Sequence, residues 1–208
     1  MDKINHIKTS IKNSNKNISK VIKEIHEIPG STGNKYQHLL NNIVNFNGCK
    51  YLEIGVDRGS TLVAALYGNR PDVVYAIDIS PLHNKKIESY KSTFNINFNF
   101  FCEDCFKLNL EKIKEKINTY HYDGDHSYKS HYKALEYYMP ILDDEFIYIV
   151  DDWLPVNSPY YTRWRLVQDA TYNAIDKLNL EIIGEYKVEE MGRQAYHQGC
   201  FIALLKKY

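Results

Sequence analysis

The chain has 208 residues, which is the length of one domain with a complete hydrophobic core. Its 26 basic and 26 acidic residues cancel to a formal charge of zero, so no overall field favours nucleic acid or an acidic membrane as a partner. No run approaches the roughly 18 apolar residues of a membrane-spanning helix, and the Lys- and Asn-rich start lacks the apolar segment of a signal peptide. We therefore expect a cytoplasmic protein whose four cysteines are reduced thiols. Heavy Asn, Lys and Ile usage is typical of A+T-rich bacterial or viral genomes, and a viral protein would lie in the host cytoplasm.

The first 30 residues carry Ile and Val at near-helical spacing, at Ile4, Ile7, Ile11, Ile18, Val21, Ile22 and Ile25. This spacing predicts one or two amphipathic helices that end at Pro29-Gly30. The segment is mildly basic, which fits a solvated helix face, and the sharper interpretation is a lid or a homodimer contact. We therefore divide the chain into an N-terminal helical extension, 1–30, and one domain, 31–208.

From residue 31 onward, predicted strands alternate with predicted helices, beginning with a helix over Tyr36 to Val44. The strands are expected at 50–54, 73–77, 97–102, 119–122, 145–150, 180–186 and 199–205. The further helices are expected at 60–67, 84–92, 108–116, 129–138 and 163–177. This order predicts an α/β fold with a Rossmann-like, doubly wound and mostly parallel seven-stranded sheet. The last two strands have no helix between them, so they are expected to form an antiparallel pair.

The most informative segment is the first strand, which runs into a glycine turn, Gly55-Val-Asp-Arg-Gly59, followed by Ser60. A dinucleotide fingerprint has a glycine in the middle of this turn, where the chain has Asp57. A carboxylate repels a pyrophosphate but accepts hydrogen bonds from an ammonium group, and Glu53 adds a second acid. The turn therefore favours a cofactor with an amino-acid tail and a positive charge.

The pattern Glu53-x-Gly55-x-x-x-Gly59 resembles the first motif of the class I S-adenosylmethionine-dependent methyltransferases. In that family an acid after the second strand holds both ribose hydroxyls, which assigns this role to Asp78. An acidic or amide side chain after the third strand often accepts the adenine amino group. Here that position reads Glu103-Asp104-Cys105, with Asp104 as the first candidate. The resemblance covers residues 31–208 and implies S-adenosylmethionine as the cofactor.

Carboxylates also follow the next two predicted strands. Asp123 and Asp125 come after the fourth strand, and Asp151 and Asp152 come after the fifth. These ends meet at one edge of a parallel sheet, where clustered carboxylates repel one another unless a proton or a cation separates them. Oxygen ligands of this kind suit a divalent metal, Mg²⁺ before Ca²⁺ or Mn²⁺.

The layout resembles the metal-dependent O-methyltransferases of catechols and caffeoyl thioesters. The sequence pattern Asp-Gly-Asp followed by Asp-Asp-aromatic is closer still to that of the macrocin and aminocoumarin sugar O-methyltransferases. That resemblance assigns Asp123, Asp151 and Asp152 as metal ligands, with Asp123 also beside the cofactor. For the general base Asp125 is the first candidate, and His126, where catechol-type relatives carry Lys, is the second.

The acceptor side is less defined by sequence. Trp153 opens an aromatic, Pro-containing loop that could pack against a sugar, and Arg163 starts the following helix. Tyr196 and His197, in the link between the last two strands, are candidates to reach the same pocket. In each case an ordinary structural role is the competing interpretation.

The leading prediction is a metal-dependent O-methyltransferase of a sugar hydroxyl on a glycan or a glycosylated metabolite. A phenolic or catechol acceptor is the nearest alternative. Two other classes remain, a nicotinamide oxidoreductase and a non-catalytic binding protein of the same fold. RNA 2′-O-methylation is disfavoured by the neutral charge, and base amino methylation by the absence of an Asn/Asp-Pro-Pro-aromatic motif.

Overall fold

A computed structural model of the chain describes residues 2–154 and 161–208, and of 161–165 it describes the backbone alone. Its centre is a sheet of seven strands in the order β3-β2-β1-β4-β5-β7-β6. The strands are β1 Lys50–Ile54, β2 Val73–Asp78, β3 Asn99–Cys102, β4 Ile117–Tyr122, β5 Leu142–Asp151, β6 Glu181–Val188 and β7 Cys200–Lys206. Strands β1 to β5 pair in parallel, while β7 runs antiparallel to both β5 and β6. The predicted fold class and the antiparallel last pair are confirmed.

Helices cover both faces of this sheet, and apolar side chains form one core cluster on each face. The helices are α1 Lys3–Ser14, α2 Lys23–His26, α3 Asn34–Val44, α4 Ser60–Leu66, α5 Asn84–Phe94, α6 Tyr128–Tyr138 and α7 Tyr161–Lys177. Within the described residues, no helix combines the length and the apolar character needed to cross a membrane.

One predicted helix is wrong. Residues 108–116 contain only a short 3-10 turn, Leu110–Lys112. The Asn109 side chain accepts a hydrogen bond from the backbone N–H of Glu111, which favours a turn over a helix at this point. Leu108 and Ile113 are still buried, so the apolar residues that suggested a helix anchor a loop instead.

The N-terminal extension packs onto the domain. Helix α1 contacts α3 and β7, and the side chains of Ile7 and Ile25 are fully buried in the core. The Tyr196 hydroxyl hydrogen-bonds to Ser14 Oγ at 2.7 Å, which ties α1 to the segment between β6 and β7. A lid or dimer role for residues 1–30 stays a prediction.

The strand order reverses between β1 and β4, and in open α/β sheets the crevice at such a point binds ligands. Gly55 lies in this crevice with a φ of +90°, and a Cβ there would come within 1.8 Å of the Asp123 carbonyl oxygen. Only glycine fits, because the backbone after β4 passes directly against the turn after β1. The glycine that the sequence assigned to ligand approach is therefore also required by the packing of two strand ends.

Candidate functional site

A cavity of about 540 Å³ lies at the carboxyl ends of the parallel strands. The turn after β1 forms its floor, and the segments after β2, β3, β4 and β5 form its sides. Residues from two distant segments, 30–32 and 197–198, complete the wall. The sequence-predicted residues that line it are Gly55, Asp57, Ser60, Asp78, Asp104, Cys105, Asp123, Asp125, His126, Asp151, Asp152 and His197.

Asp57 and Asp78 are joined at one end of the cavity. The Asp57 backbone N–H donates to Asp78 Oδ2 at 2.7 Å, and the Ser80 N–H donates to Asp78 Oδ1 at 2.7 Å. Asp57 has a φ of +45°, a left-handed conformation that Asp tolerates better than most residues. These bonds fix the carboxylate of Asp78 at the end of β2, where a ligand with vicinal hydroxyls can meet it.

The segment after β3 lies beside the end of β2, at this same end of the cavity. Asp104 Oδ1 accepts from the Phe106 N–H at 2.9 Å, and Cys105 and Phe106 also line the cavity. Glu103 does not line it, because its carboxylate pairs with Lys112 Nζ at 2.6 Å. Sequence reasoning missed Phe106, although its position next to two candidate residues was a usable signal.

Two residues of the first motif serve the fold rather than the cavity wall. Glu53 is fully buried and accepts hydrogen bonds from Tyr51 and Thr61, so its assignment as a cofactor contact is corrected. Gly59, with a φ of +87°, precedes α4, and a Cβ there would lie 3.0 Å from the Tyr90 ring. Its glycine is explained by the turn and by this contact.

Three side chains converge at the other end of the cavity, where β4 and β5 end. Asp123, His126 and Asp152 each offer a ligand atom, and these atoms lie within 4.8 Å of one another. His126 Nδ1 is 2.8 Å from Asp152 Oδ2, and His126 Nε2 is 3.7 Å from Asp123 Oδ1. The prediction had Asp151 as the third ligand and His126 as a base, so the geometry places His126 in the cluster itself.

The electrostatics of this cluster follow from burial and from like charges. Burial and the neighbouring Asp152 raise the pKa of Asp123 above its usual range. Burial, together with Asp123 and Asp152, raises the pKa of Asp151 further still. Burial lowers the pKa of His126, but its interactions with the carboxylates of Asp123 and Asp152 outweigh this effect and raise the pKa to about 10. The imidazolium is thus the positive group that compensates these acids.

The residues present fit a divalent cation. Asp151 is buried, and no donor group of the described residues reaches its Oδ1 atom, so Asp151 and Asp123 can pair with each other only through a proton or a cation. An unpaired buried carboxylate oxygen is costly, and a cation next to it removes that cost. The carboxylate oxygens of Asp123, Asp151 and Asp152 suit Mg²⁺ or Mn²⁺, whereas the His126 imidazole can bind a cation only after it loses its proton. Asp152 itself has a φ of +56°, a strained conformation of the kind that clusters at functional sites.

The first candidate base is held in a different environment. Asp125 Oδ2 accepts hydrogen bonds from Ser127 Oγ at 2.5 Å and from Ser130 Oγ at 2.6 Å. These bonds lower the pKa of Asp125, which makes its carboxylate a weaker proton acceptor. With His126 occupied by two carboxylates, the structure disfavours both sequence candidates for the base.

Two of the four candidate acceptor residues lie away from the cavity. Trp153 is fully buried and stacks on Phe201 with ring centroids 4.3 Å apart. Tyr196 is also fully buried and points toward α1, so both acceptor assignments are corrected. The Arg163 side chain lies outside the described residues. Of these candidates, His197 lines the cavity.

Comparison with known proteins adds to this geometry. Residues 52–153, slightly under half of the chain, match the family model described as a methyltransferase domain. This segment resembles a methyltransferase domain. It spans β1 to β5 and includes the glycine turn, Asp78, Asp104 and the whole acidic cluster. No curated protein gives a significant sequence match.

Solved structures share the fold over nearly the whole chain. An O-methyltransferase from Bacillus cereus in complex with SAH has 16% identity and a TM-score of 0.65, covering 95% of this chain and 91% of its own. The O-methyltransferase TomG from Streptomyces achromogenes, involved in tomaymycin synthesis and in complex with SAM, has 10% identity and a TM-score of 0.66, covering 99% of each chain. The N-methyltransferase NodS from Bradyrhizobium japonicum WM9 has 11% identity and a TM-score of 0.54, covering 77% and 86%. At these identities the likeness establishes the class I methyltransferase fold, which serves oxygen and nitrogen acceptors alike.

Proposed function

We propose that this methyltransferase transfers the methyl group of S-adenosylmethionine to a sugar hydroxyl of a glycan or glycosylated metabolite, and that it requires a divalent metal, Mg²⁺ first. The observation that carries the proposal is the cluster of Asp123, His126 and Asp152, with the unpartnered Asp151 Oδ1 beside it. It lies in the same cavity as the glycine turn of the methyltransferase domain.

The donor end of the cavity fits S-adenosylmethionine. We assign Asp78 to the ribose hydroxyls, and Asp57 and Ser60 to the amino-acid tail, since all three line the cavity. Ile79, Cys105 and Phe106 give this end apolar sides that suit an adenine ring. We assign Asp104, which also lines the cavity, to the adenine amino group. Two of the solved structures with this fold hold SAM or SAH, which supports the same donor.

The acceptor end fits a hydroxyl group. Asp123, Asp151 and Asp152 would hold the metal, and His126 would join them on losing its proton. The metal, when bound, would lower the pKa of a coordinated hydroxyl and shield developing charge. In the transfer, the acceptor oxygen attacks the sulfonium methyl in line, and the carbon–sulfur bond breaks as the carbon–oxygen bond forms. The electron pair returns to sulfur, S-adenosylhomocysteine leaves, and the hydroxyl proton passes to a carboxylate oxygen at this edge.

The deciding experiment is a methyl-transfer screen over free, nucleotide-linked and polymer-linked sugars, with catechols as the comparison set. Each acceptor is tested in chelated protein with and without added Mg²⁺. We expect transfer to at least one sugar, lost on chelation and restored by the metal. Transfer that survives chelation rejects the metal requirement, and transfer to catechols alone replaces the sugar acceptor with a phenolic one.

A further inference from the structure

Two distant segments form one wall of the cavity, which we call the acceptor wall: Ser31, Thr32, His197 and Gln198. Backbone hydrogen bonds join the segments, from Asn34 N–H to the Arg193 carbonyl at 2.8 Å and from Tyr36 N–H to the Ala195 carbonyl at 3.2 Å. The packing is so close that a Cβ at Gly33 would lie 2.7 Å from the His197 nitrogen. The wall is therefore a built surface, not a pair of loose loops.

His197 and Gln198 form the part of the acceptor wall at the carboxylate end of the cavity, whereas Gly30, next to Ser31, packs against Ser60. The Trp153 N–H, directly after Asp152, donates to the Gly199 carbonyl at 3.2 Å. A Cβ at Gly199 would lie 2.6 Å from the Trp153 carbonyl oxygen, so the two segments are in backbone contact. His197 and Gln198 thus lie next to the end of β5, where an acceptor hydroxyl has to be.

His197 is held in a costly conformation by its surroundings. Its φ is +59°, and backbone hydrogen bonds of 2.8 Å and 3.0 Å with Gly192 hold the residue on both sides. The preceding residue, Tyr196, is fixed by its hydroxyl, which bonds to Ser14 Oγ at 2.7 Å and Asn15 Oδ1 at 2.8 Å on the N-terminal side. A left-handed residue kept in place in this way within a cavity wall points to a role in binding.

The two ring nitrogens of His197 differ in environment. Nδ1 is enclosed and has no hydrogen-bond partner among the described residues, whereas Nε2 is not enclosed. An N–H at the enclosed Nδ1 would have no acceptor, so the tautomer with the proton on Nε2 is favoured. His197 therefore offers a ligand a hydrogen-bond donor at Nε2.

The charge of the cavity selects against anionic acceptors. Among the described lining residues, seven are aspartates and one, Arg58, is a permanently charged base. Even when the His126 imidazolium, a divalent cation and the sulfonium are counted with Arg58, the seven carboxylates exceed the five positive charges. A neutral ligand rich in hydroxyl groups avoids repulsion by these acids and matches the polar side chains of the wall.

We propose that His197, with Gln198 beside it, recognises a neutral polyhydroxyl acceptor by donating from Nε2 to a hydroxyl beside the one that is methylated. This inference rests on the proposed function in one respect, because it takes the carboxylate end of the cavity as the acceptor end. It adds the residue that selects the acceptor and the charge class of that acceptor.

The test measures binding without methyl transfer, in protein loaded with S-adenosylhomocysteine and Mg²⁺. The probes are the methyl α-pyranosides of glucose, mannose, galactose and rhamnose, followed by NMR titration, with glucose 1-phosphate as the anionic probe. The variant His197→Asn removes the Nε2 donor and keeps a residue type that tolerates the left-handed conformation. Arg193→Ala, an exposed position on the same segment, is the matched control.

We expect at least one neutral glycoside to bind, with Kd about threefold to tenfold weaker in His197→Asn and unchanged in Arg193→Ala. Glucose 1-phosphate is expected to bind more weakly than the neutral probe. An unchanged Kd in His197→Asn, tighter binding of the phosphate, or no binding of any neutral glycoside overturns the inference. Retained S-adenosylhomocysteine binding in the variant shows that the fold is intact.

Activity measurements separate this inference from the proposed function. If a sugar is methylated, His197→Asn should raise the acceptor KM and leave kcat and its pH profile unchanged. A lower kcat with an altered pH profile assigns a base role and overturns the recognition role. If no sugar is methylated but the binding difference persists, the proposed function fails and the recognition role stands.

Discussion

Two groups of buried ionisable side chains lie on neighbouring strands of this sheet, and they differ in how completely the chain satisfies them. Glu53 on β1 accepts from the Tyr51 hydroxyl at 2.7 Å and from Thr61 Oγ1 at 2.6 Å. His121 on β4 lies directly opposite Glu53 and bonds to the Tyr36 hydroxyl at 2.7 Å. Each polar group of this closed network has a partner within the protein.

The acidic cluster at the ends of β4 and β5 is different. Asp151 Oδ1 has no partner among the described residues, and Asp123 and Asp152 share one imidazole between them. Both groups contain buried acids and a histidine, so burial alone does not separate a structural acid from a functional one. What separates them is whether hydroxyl donors from the chain close the site or leave it open to a ligand.

The largest expected effect comes from removing a charge in the acidic cluster. Asp152→Asn should lower kcat/KM about 1000-fold, or roughly 4 kcal/mol, because the metal loses an anionic ligand. The Tm of the metal-free variant should stay close to that of wild type, since Asn tolerates the left-handed backbone and the weaker bond to His126 is offset by the loss of one like charge beside Asp151. Steady-state kinetics beside the exposed control Asp144→Asn test this, and activity within threefold of wild type contradicts it.

Metal binding should stabilise the protein through the acidic cluster alone. Addition of Mg²⁺ or Mn²⁺ at about 100 times Kd should stabilise the chelated protein by about 2.7 kcal/mol. In a domain of this size that corresponds to a rise in Tm of roughly 5 to 10 °C. The rise, followed by differential scanning calorimetry, should vanish in Asp152→Asn. No rise with any of Mg²⁺, Mn²⁺ or Ca²⁺ would show that the cluster works without a metal.

His38 on α3 provides a pH test of burial without an acidic partner. Burial and the nearby His26 lower the pKa of His38 to about 4 from its usual 6.5. The unfolded chain therefore takes up the proton first, so stability is complete above pH 6.5 and is lost as pH falls toward 4, by up to about 3 kcal/mol. Urea unfolding at several pH values measures this loss. In His38→Asn, which can keep a bond to Ser19, the free energy of unfolding should vary less steeply with pH. An equally steep variation in wild type and His38→Asn contradicts the prediction.

The smallest effect is expected on the closed network. Tyr51→Phe removes a hydroxyl that donates to the buried Glu53, which should cost about 2 kcal/mol of unfolding free energy. Tyr148→Phe is the matched control, because the Tyr148 hydroxyl is buried without a hydrogen-bond partner among the described residues. Urea denaturation should show a loss in the first variant and none in the second. Similar losses in both would mean that packing, not the hydrogen bond, carries the effect.

Sequence reasoning reached most of this site because its residues stand at strand ends, and strand ends can be located from local patterns. Asp78, Asp104, Asp123 and Asp152 were assigned to one sheet edge in this way, and the structure places them all on one cavity. The assignment of Glu53 as a cofactor contact is wrong because its hydrogen-bond partners depend on how strands and helices pack. Strand register sets it opposite His121, and Thr61 reaches it from α4. Neither relation has a signal in the local sequence.

The sequence by itself determined the fold class, the glycine turn and the acids after β4 and β5, because hydrophobic periodicity and turn residues act over a few positions. The tertiary structure decided which buried acids receive hydrogen bonds from the chain and which stay available to a ligand. The groups involved can be far apart in sequence, as in Tyr36 and His121, which are 85 residues apart. It also brought His197 beside the end of β5 and turned Trp153 and Tyr196 away from the cavity. Such outcomes depend on side-chain packing between distant segments.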